Sequence, residues 1–272
     1  MKISDLHNDI ITVETFNNAK RYLTKNSKYL DRIVLAVWTT HTKYNNFSNI
    51  DLLIKSYQTL NFSKILFGIE DISLINEQDY GKMPSLNIFY ASLTWNYDNA
   101  LGGGAYGDIG LTAKGKKILK ILQESKIILD TAHQNQKTFW DCIGYFEGLI
   151  INSHTCFSSV FKHKRNITDQ QISTIIQKGG VIGLSLVGDF LSDKKIAKIE
   201  DVIRHMDYFI QKFGDQNLCL GTDFFGTDNL PQNLNSYLAL SILVEKLQKI
   251  GYNKNTIERI FHKNFDNFLR LV

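Results

Sequence analysis

The chain has 272 residues, with 31 basic and 27 acidic side chains and a net charge of +4. This balance argues against a nucleic-acid-binding protein, which usually carries a basic excess on one face. The hydrophobic fraction of 43% is ordinary for a globular protein, and no apolar run is long enough for a membrane helix. The length suits one barrel-sized unit, so residues 1–272 are expected to form a single domain.

The cysteines and the first residues bear on the cellular compartment. Cys142, Cys156 and Cys219 are odd in number and widely spaced, which argues against a disulfide framework and fits a reducing compartment. The first nine residues, MKISDLHND, contain no apolar signal core. These features predict a cytoplasmic protein that does not associate with a membrane.

Eight short apolar runs are predicted to be β-strands. In chain order they are 2–9, 32–40, 64–71, 87–96, 126–133, 149–155, 179–186 and 218–225. Most of them are continuously apolar rather than alternating, which is typical of parallel strands that are covered on both faces.

Helical patterns lie between these runs. Residues 113–125 repeat apolar side chains at helical spacing, with Thr112 as the predicted N-cap. The other predicted helices are 134–146, 168–178, 197–213, 238–250 and 254–262. Alternating strands and helices with eight strands predict a closed (β/α)₈ TIM-type barrel, and an open doubly wound sheet is the alternative. Residues 10–31 and 72–86 carry the weakest patterns.

Histidine and acidic residues end several of the predicted strands. His7 and Asp9 end the first strand, and because they are two residues apart, their side chains leave the same face. Glu70 ends the third strand, where a carboxylate after an apolar run is costly unless it is paired or bound to a cation. His133 and His154 end two consecutive strands. Each of these histidines alone would more often be a buried, hydrogen-bonded side chain, but together the five residues indicate a metal site.

The C-terminal ends of barrel strands meet at one mouth, so these residues predict a metal centre with two half-sites. His7 and Asp9 would hold one ion, His133 and His154 the other, and Glu70 would bridge them. Nitrogen and carboxylate ligands without thiolate favour two Zn²⁺ ions, with manganese, cobalt or iron as alternatives. Paired ions can share a hydroxide and polarise a carbonyl or phosphoryl oxygen, so hydrolysis is the expected reaction class.

Two further aspartates are candidates for roles beside this centre. Asp223 ends the eighth strand, where a carboxylate can take a proton from a metal-bound water and pass it to a leaving group. The alternative is a turn aspartate that accepts bonds from the next backbone amides. Asp5 shares the strand face of His7 and Asp9, so it is a candidate to steady a ligand from outside the metal shell.

Several segments resemble the membrane (renal) dipeptidase family, zinc-dependent hydrolases with an amidohydrolase-like barrel. These segments, in family order, include DLHND at 5–9, GIE at 68–70, LTWN at 93–96, LDTAH at 129–133, SHT at 153–155, GTDFFG at 221–226 and NFLRL at 267–271. The resemblance implies that His7, Asp9 and Glu70 bind the first zinc ion. It implies that Glu70, His133 and His154 bind the second.

The resemblance also implies roles in substrate binding. Arg165, in the segment KRN, would pair with the terminal carboxylate of the substrate, which suits the forked guanidinium group. Without the resemblance, Arg165 reads as a surface residue. Asp223 matches the active-site aspartate of the family. Trp95 stands where the family often has a histidine that contacts the substrate, and an indole can donate one hydrogen bond but carries no charge.

The function implied by the resemblance is hydrolysis of a small dipeptide-like substrate by a metal-bridging hydroxide. Glu70 and Asp223 would be catalytic, and Arg165, Asp223 and Trp95 would bind the substrate. Family members accept D-configured C-terminal residues, and the family also suggests a homodimer. Trp95 leaves a second hypothesis open, a binuclear hydrolase of N-acyl amino acids, lactones or other esters. A third is an inactive binding protein, although the presence of Asp223 beside a full ligand set argues against it.

Overall fold

The computed structural model describes residues 1–60 and 64–272, and its eight strands form one closed barrel. The strands are β1 (Ile3–Asn8), β2 (Leu30–Trp38), β3 (Ile65–Glu70), β4 (Tyr90–Ser92), β5 (Ile128–Asp130), β6 (Ile150–Thr155), β7 (Ile182–Leu184) and β8 (Leu218–Leu220). Each strand pairs in parallel with the next in sequence, and β8 pairs with β1 at Asp5 and Leu220. The predicted TIM-type barrel is confirmed, and the open sheet is excluded.

Helices connect the strands on the outside of the barrel. The α-helices are α1 (Ile10–Val13), α2 (Phe16–Asn26), α3 (Phe47–Gln58), α4 (Ala113–Glu124), α5 (Gln136–Tyr145), α6 (Asp169–Gln177), α7 (Gly188–Leu191), α8 (Ile199–Phe213), α9 (Leu240–Lys249), α10 (Lys254–Glu258) and α11 (Asn264–Leu269). Thr112 caps α4 by accepting a hydrogen bond from the amide of Gly115, as its position before the helical pattern predicted.

Some predicted boundaries were wrong. The strands predicted at 87–96, 126–133, 179–186 and 218–225 contain only three ladder residues each. The apolar runs extend further because the loops at the barrel mouth are themselves buried, so hydrophobicity marks burial there rather than strand pairing. The two weakly patterned segments contain helices: α1 and α2 lie within 10–31, and two 3₁₀ segments, Ile72–Leu74 and Glu77–Leu86, lie within 72–86. The helix predicted at 254–262 continues through a π-helical turn, Arg259–Lys263, into α11.

The core has two layers, one inside the barrel and one between the barrel and its helices. The inner layer contains Leu6, Val34, Tyr90, Ile128, Ile151, Val181 and Cys219. Phe265 and Phe268 of α11 belong to the same cluster, and their rings lie 5.5 and 6.2 Å from that of Phe89, just before β4. Burying each such ring contributes about 1.5–3 kcal/mol, so α11 helps to fix the barrel.

Glycine is required where β7 and β8 approach β6. A Cβ atom added to Gly183 would collide with the carbonyl oxygen of Ser153, and one added to Gly221 would meet the same oxygen. Ser153 directly precedes His154, so these two glycines allow the strands to close around a residue of the barrel mouth.

We expect Gly183→Ala to lower the free energy of unfolding by about 1–3 kcal/mol, because the added methyl group has to displace backbone atoms. Gly144→Ala is the matched control: Gly144 lies in α5, is exposed, and a Cβ atom there would meet nothing within 4 Å. Alanine should raise stability at that position by about 0.5–1 kcal/mol. Urea unfolding followed by circular dichroism measures both changes, and equal effects of the two substitutions would contradict the packing argument.

Candidate functional site

Six residues predicted for the site meet at the C-terminal mouth of the barrel. His7 lies on β1, Glu70 ends β3, His154 lies on β6, and Asp9 follows β1; His133 and Asp223 follow β5 and β8. Each is buried, with at most 7% of its surface exposed. The structure therefore brings together all six side chains that were predicted from residue type at strand ends.

Two of these residues reach the mouth in a way that was not predicted. His133 and Asp223 lie three residues beyond the last ladder residues of β5 and β8, and both have left-handed backbones with φ values of +66° and +59°. Residues other than glycine adopt this conformation at a cost, and such strain concentrates at functional sites. Their positions therefore depend on tight turns, and strand parity does not determine where their side chains point.

Glu70 lies between two of the histidines. Its Oε2 is 3.2 Å from Nε2 of His7, and its Oε1 is 2.5 Å from Nε2 of His133. The Nε2 atoms of His133 and His154 are 3.0 Å apart, and Oδ2 of Asp9 is 3.3 Å from Nε2 of His7. The two oxygens of Glu70 thus face different imidazoles, which is the arrangement that a bridging carboxylate needs.

The outward-facing nitrogens of these histidines are held by polar partners. Nδ1 of His7 lies 2.8 Å from the hydroxyl oxygen of Tyr90, which itself donates to the carbonyl of Leu6. Nδ1 of His133 donates to Oδ1 of Asn96 over 2.9 Å. In each case the network supplies a partner for Nδ1, which turns Nε2 toward the centre.

His154 is oriented by a chain of two polar residues. Its Nδ1 lies 2.8 Å from Oγ of Ser153, and that hydroxyl donates to Oδ2 of Asp130 over 2.6 Å. Because the serine hydroxyl uses its proton on the carboxylate, it accepts from Nδ1 of His154. All three imidazoles therefore direct Nε2 inward, as histidines that bind metal ions do.

Asp5 acts on the main chain rather than on an imidazole. Its Oδ1 accepts hydrogen bonds from the backbone amides of His7 and Thr222, and its Oδ2 accepts from the hydroxyls of Thr222 and Tyr237. Asp5 thus ties β1 to the loop that carries Asp223. The predicted supporting role agrees with this bond to His7, which is made through the backbone of His7 and not through its ring.

The carboxylates and imidazoles of the cluster shift one another's pKa values. Burial raises the pKa of Glu70, but His133 and His7 outweigh this effect and hold it well below its usual range. Burial lowers the pKa of His133 to about 4, and the positive charge of Arg165 adds to the decrease. Burial raises the pKa of Asp223 well above its usual range, and the nearby carboxylates of Asp9 and Glu70 add to that increase. The cluster holds three desolvated carboxylates beside three imidazoles. Bound cations would relieve the repulsion between the carboxylates.

The donor atoms fit divalent metal ions. Two sets of buried ligand atoms lie within 4.8 Å of one another: His7, Glu70 and His154, and His7, Asp9 and Asp223. Among the described residues, Nε2 of His7 and Oδ1 of Asp9 are buried without a hydrogen-bond partner. Unpartnered imidazole and carboxylate atoms at one point suit zinc or a similar ion. The division of the ligands into two half-sites stays a prediction.

A cleft of about 140 Å³ opens above this centre, and Trp38, Trp95, Tyr106 and Phe190 contribute aromatic walls. Trp95 packs against Trp38 with ring centroids 5.1 Å apart, and its ring lies 6.1 Å from that of His133. Trp95 thus lies on the wall of the cleft, and its contact with a substrate stays a prediction.

Arg165 lies in the same cleft and is only 4% exposed. One of its terminal nitrogens, Nη2, donates to Nε2 of His154 over 2.8 Å, and its guanidinium carbon lies 5.2 Å from the ring centroid of Phe190. Reasoning from residue type alone would have placed this arginine on the surface, and only the family resemblance identified it.

Four supporting residues escaped the sequence analysis: Tyr90, Asn96, Asp130 and Ser153. Asp130 and Ser153 carried a usable signal, since each is a polar residue inside an apolar run. Tyr90 carried none, because 83 residues separate it from His7 and tyrosine is common in buried strands.

Comparison with known proteins identifies a family. A family model described as membrane dipeptidase (peptidase family M19) matches residues 8–272. The chain is 30% identical over 213 residues to an uncharacterized protein in the pqqA 5′ region of Klebsiella pneumoniae, covering 71% of this chain and 77% of that protein. It is 28% identical over 211 residues to an uncharacterized dipeptidase of Schizosaccharomyces pombe, covering 71% of this chain but 50% of the relative.

Solved structures share the whole fold. A metallopeptidase described as dipeptidase AC superimposes with a TM-score of 0.87 at 19% identity, covering 99% of this chain and 98% of the other. A metallopeptidase of Rhodobacter sphaeroides, liganded with a phosphinate mimic of L-Ala-D-Ala, gives 0.85 at 18% identity, covering 99% of both chains. An amidohydrolase of Burkholderia multivorans with bound zinc gives 0.62 at 11% identity, covering 94% and 88%.

None of the helices within residues 1–60 and 64–272 has both the length and the hydropathy that a membrane span requires.

We expect Tyr90→Phe to weaken zinc binding by about 10- to 100-fold, because the acceptor of the His7 Nδ1 proton is lost. Tyr57→Phe is the matched control, since the Tyr57 hydroxyl is buried with no hydrogen-bond partner among the described residues and lies outside the cleft. Competition with a chelating dye gives the dissociation constants. Equal zinc affinity in Tyr90→Phe and the unmodified protein would show that Tyr90 does not orient His7.

Proposed function

We propose, since the chain belongs to the membrane dipeptidase family (peptidase family M19), that it is a zinc-dependent dipeptidase. One observation carries the proposal: three inward-facing imidazole nitrogens and the two oxygens of Glu70 converge beside a buried arginine. The whole barrel, residues 1–272, would act as one metal-dependent hydrolase domain. Location in the cytoplasm and assembly as a homodimer stay predictions.

The metal ions would be held by His7, Asp9, Glu70, His133 and His154. Their imidazole and carboxylate atoms favour zinc, and the amidohydrolase of Burkholderia multivorans, which has a similar barrel, was solved with bound zinc. Divalent ions supply Lewis acidity at such a site and make water a stronger nucleophile. The remaining steps fall to side chains of this chain.

Arg165 is placed to bind the terminal carboxylate of the substrate. Its guanidinium lines the cleft next to His154, and its Nε is buried with no hydrogen-bond partner in the described part of the chain. A guanidinium can bind a carboxylate through two parallel hydrogen bonds, which fixes the direction in which the scissile bond faces the centre.

Asp223 is placed to move the proton. Its Oδ1 lies 3.9 Å from Nε2 of His7, and its Oδ2 lies 4.0 Å from Nε2 of His154, so it faces both sides of the centre. Asp223 would accept a proton from the attacking water and deliver it to the departing amine. A Cβ atom on Gly226 would collide with the carboxylates of Asp223 and Asp9, so glycine there leaves room for both.

A D-configured C-terminal residue is the favoured stereochemistry in this proposal. It is supported by the Rhodobacter sphaeroides metallopeptidase, whose ligand mimics L-Ala-D-Ala and whose fold covers nearly the whole of this chain. Trp95 favours a second candidate, hydrolysis of N-acyl amino acids or esters, because its uncharged ring lies beside His133 in the cleft.

We expect zinc-loaded protein to release free alanine from L-Ala-D-Ala faster than from L-Ala-L-Ala. Glu70→Gln should reduce both rates below detection, since the substitution removes the charge shared between His7 and His133. Glu77→Gln, at an exposed position of a 3₁₀ segment, is the control and should behave as the unmodified protein. If fully metallated protein hydrolysed none of the dipeptides, acylated amino acids and esters would be the next substrates to test.

We expect Arg165→Met to reduce kcat/KM for dipeptides about 10- to 100-fold, the range of a buried hydrogen bond to a charged group. Dipeptide amides provide the internal control, because they lack the carboxylate. The unmodified enzyme should prefer the free acid by a similar factor, and the variant should show no preference. If the variant still preferred free acids, another residue would have to bind the terminal carboxylate of the substrate.

A further inference from the structure

His163 lies two residues before Arg165, in the loop of residues 156–168 between β6 and α6. The main-chain amide of Arg165 donates a hydrogen bond to Nδ1 of His163 over 3.2 Å. The carbonyl of Arg165 accepts one from the hydroxyl of Thr155, at the end of β6, over 2.9 Å. The main chain of Arg165 is therefore held on both sides, and an imidazole holds the amide side.

The bond between His163 and Arg165 needs a neutral imidazole, because a protonated one has no acceptor. Burial lowers the pKa of His163, and the charge of Arg165 adds to the decrease, which the charge of Asp189 partly opposes. With Nδ1 as the acceptor, the proton lies on Nε2, which faces the hydroxyl oxygen of Tyr106 at 3.5 Å. His163 is thus neutral at neutral pH and directs its acceptor at the amide of Arg165.

Phe190, in α7, connects the ring of His163 with the guanidinium of Arg165. The rings of Phe190 and His163 stack with centroids 5.0 Å apart and an angle of 29° between their planes. The guanidinium carbon of Arg165 lies 5.2 Å from the centroid of the same phenyl ring. Nδ2 of Asn166 donates to the carbonyl of Phe190 over 2.8 Å, which ties α7 to the loop. His163 therefore acts on the main chain of Arg165 directly and on its side chain through Phe190.

These contacts matter most when the centre holds metal ions. Nη2 of Arg165 donates to Nε2 of His154 over 2.8 Å, and the lone pair of that nitrogen can serve either the arginine or an ion. A metal-bound His154 therefore releases the guanidinium. The bond to His163 and the packing on Phe190 do not involve His154, so they are left to set the direction of the guanidinium in the cleft.

We propose that His163 is a positioning residue, which directs the guanidinium of Arg165 toward the terminal carboxylate of the substrate. Among the described residues, Arg165 and Phe190 line the cleft and His163 does not, so its effect on a substrate is transmitted through those two residues. This role rests on the proposed function, in which Arg165 binds the carboxylate.

Binding of a phosphinate mimic of L-Ala-D-Ala, and of the same mimic with a terminal carboxamide, tests this role without turnover. Calorimetry on zinc-loaded protein gives both dissociation constants, and their ratio measures how well the carboxylate is bound. We expect His163→Leu to weaken binding of the free acid about tenfold and to leave the carboxamide nearly unchanged, since only the acid pairs with the charge of Arg165. A general disturbance of the loop would weaken both ligands. Equal losses would therefore overturn the proposal, and so would no loss at all.

Two amide variants separate the bond to Arg165 from the size and polarity of the imidazole. In His163→Asn the side-chain oxygen lies near the former Nδ1 and can accept from the Arg165 amide. More of the preference for the free acid should remain there than in His163→Gln, whose oxygen reaches the former Nε2. If His163→Leu fails to fold, His163→Gln decides, and a preference equal to that of the unmodified protein would refute the role.

His262→Leu is the matched control. His262 is half-buried in the π-helical turn, outside the cleft, so this variant should bind both mimics as the unmodified protein does.

The same measurements distinguish this role from the dipeptidase function. If the His163 variants lose the preference but no dipeptide is hydrolysed, the positioning role stands and the dipeptidase function fails. If dipeptides are hydrolysed and the variants keep the preference, the function stands and the role of His163 fails. Equal binding of acid and carboxamide by the unmodified protein would overturn both the assignment of Arg165 and the role of His163.

Discussion

The position of the Glu70 carboxylate between two imidazoles is the constraint on which the site depends. This buried carboxylate contacts His7 from β1 and His133 from the turn after β5, so strands that are distant in sequence have to meet across a closed barrel. A desolvated carboxylate is costly unless it is hydrogen-bonded, protonated or placed beside positive charge. The site therefore requires a closed barrel, because an open sheet would not bring these groups together.

The surroundings of the three histidines fix their direction before any ion binds. Each Nδ1 atom has its own hydrogen-bond partner: Tyr90 for His7, Asn96 for His133 and Ser153, backed by Asp130, for His154. These partners come from β4, the loop after it, β5 and β6. Because the acceptors lie on the barrel framework, the three imidazole rings are held in place. Arg165, which donates to Nε2 of His154, has to move away before that nitrogen binds an ion. Such preorganisation reduces the reorganisation that metal binding or catalysis requires.

The sequence was sufficient for the fold and for the residues at the strand ends, because both leave local signals. Continuous apolar runs reveal parallel strands, and a histidine or carboxylate that ends such a run is conspicuous. Several strands were predicted to be too long, because buried loops have the same composition as buried strands. Tyr90 and Arg165 could not be predicted from local sequence: the first acts across 83 residues, and the second lies in the basic segment KHKRN, which resembles a solvent-exposed loop.

Trp95 and Arg165 together limit how charge can be stabilised at this mouth. The indole of Trp95 packs between Trp38 and His133, where it adds apolar surface and a single N–H donor. Arg165 contacts His154 and places a cationic side chain in the cleft. A protonated histidine in place of Trp95 could stabilise the negative charge that develops on a substrate oxygen. An indole cannot do this as a cation, because it does not take up a proton. In this chain Arg165 is assigned to the terminal carboxylate of the substrate, so that charge has to be balanced by the metal ions. This makes the reaction we propose more dependent on its metal centre than one assisted by a histidine.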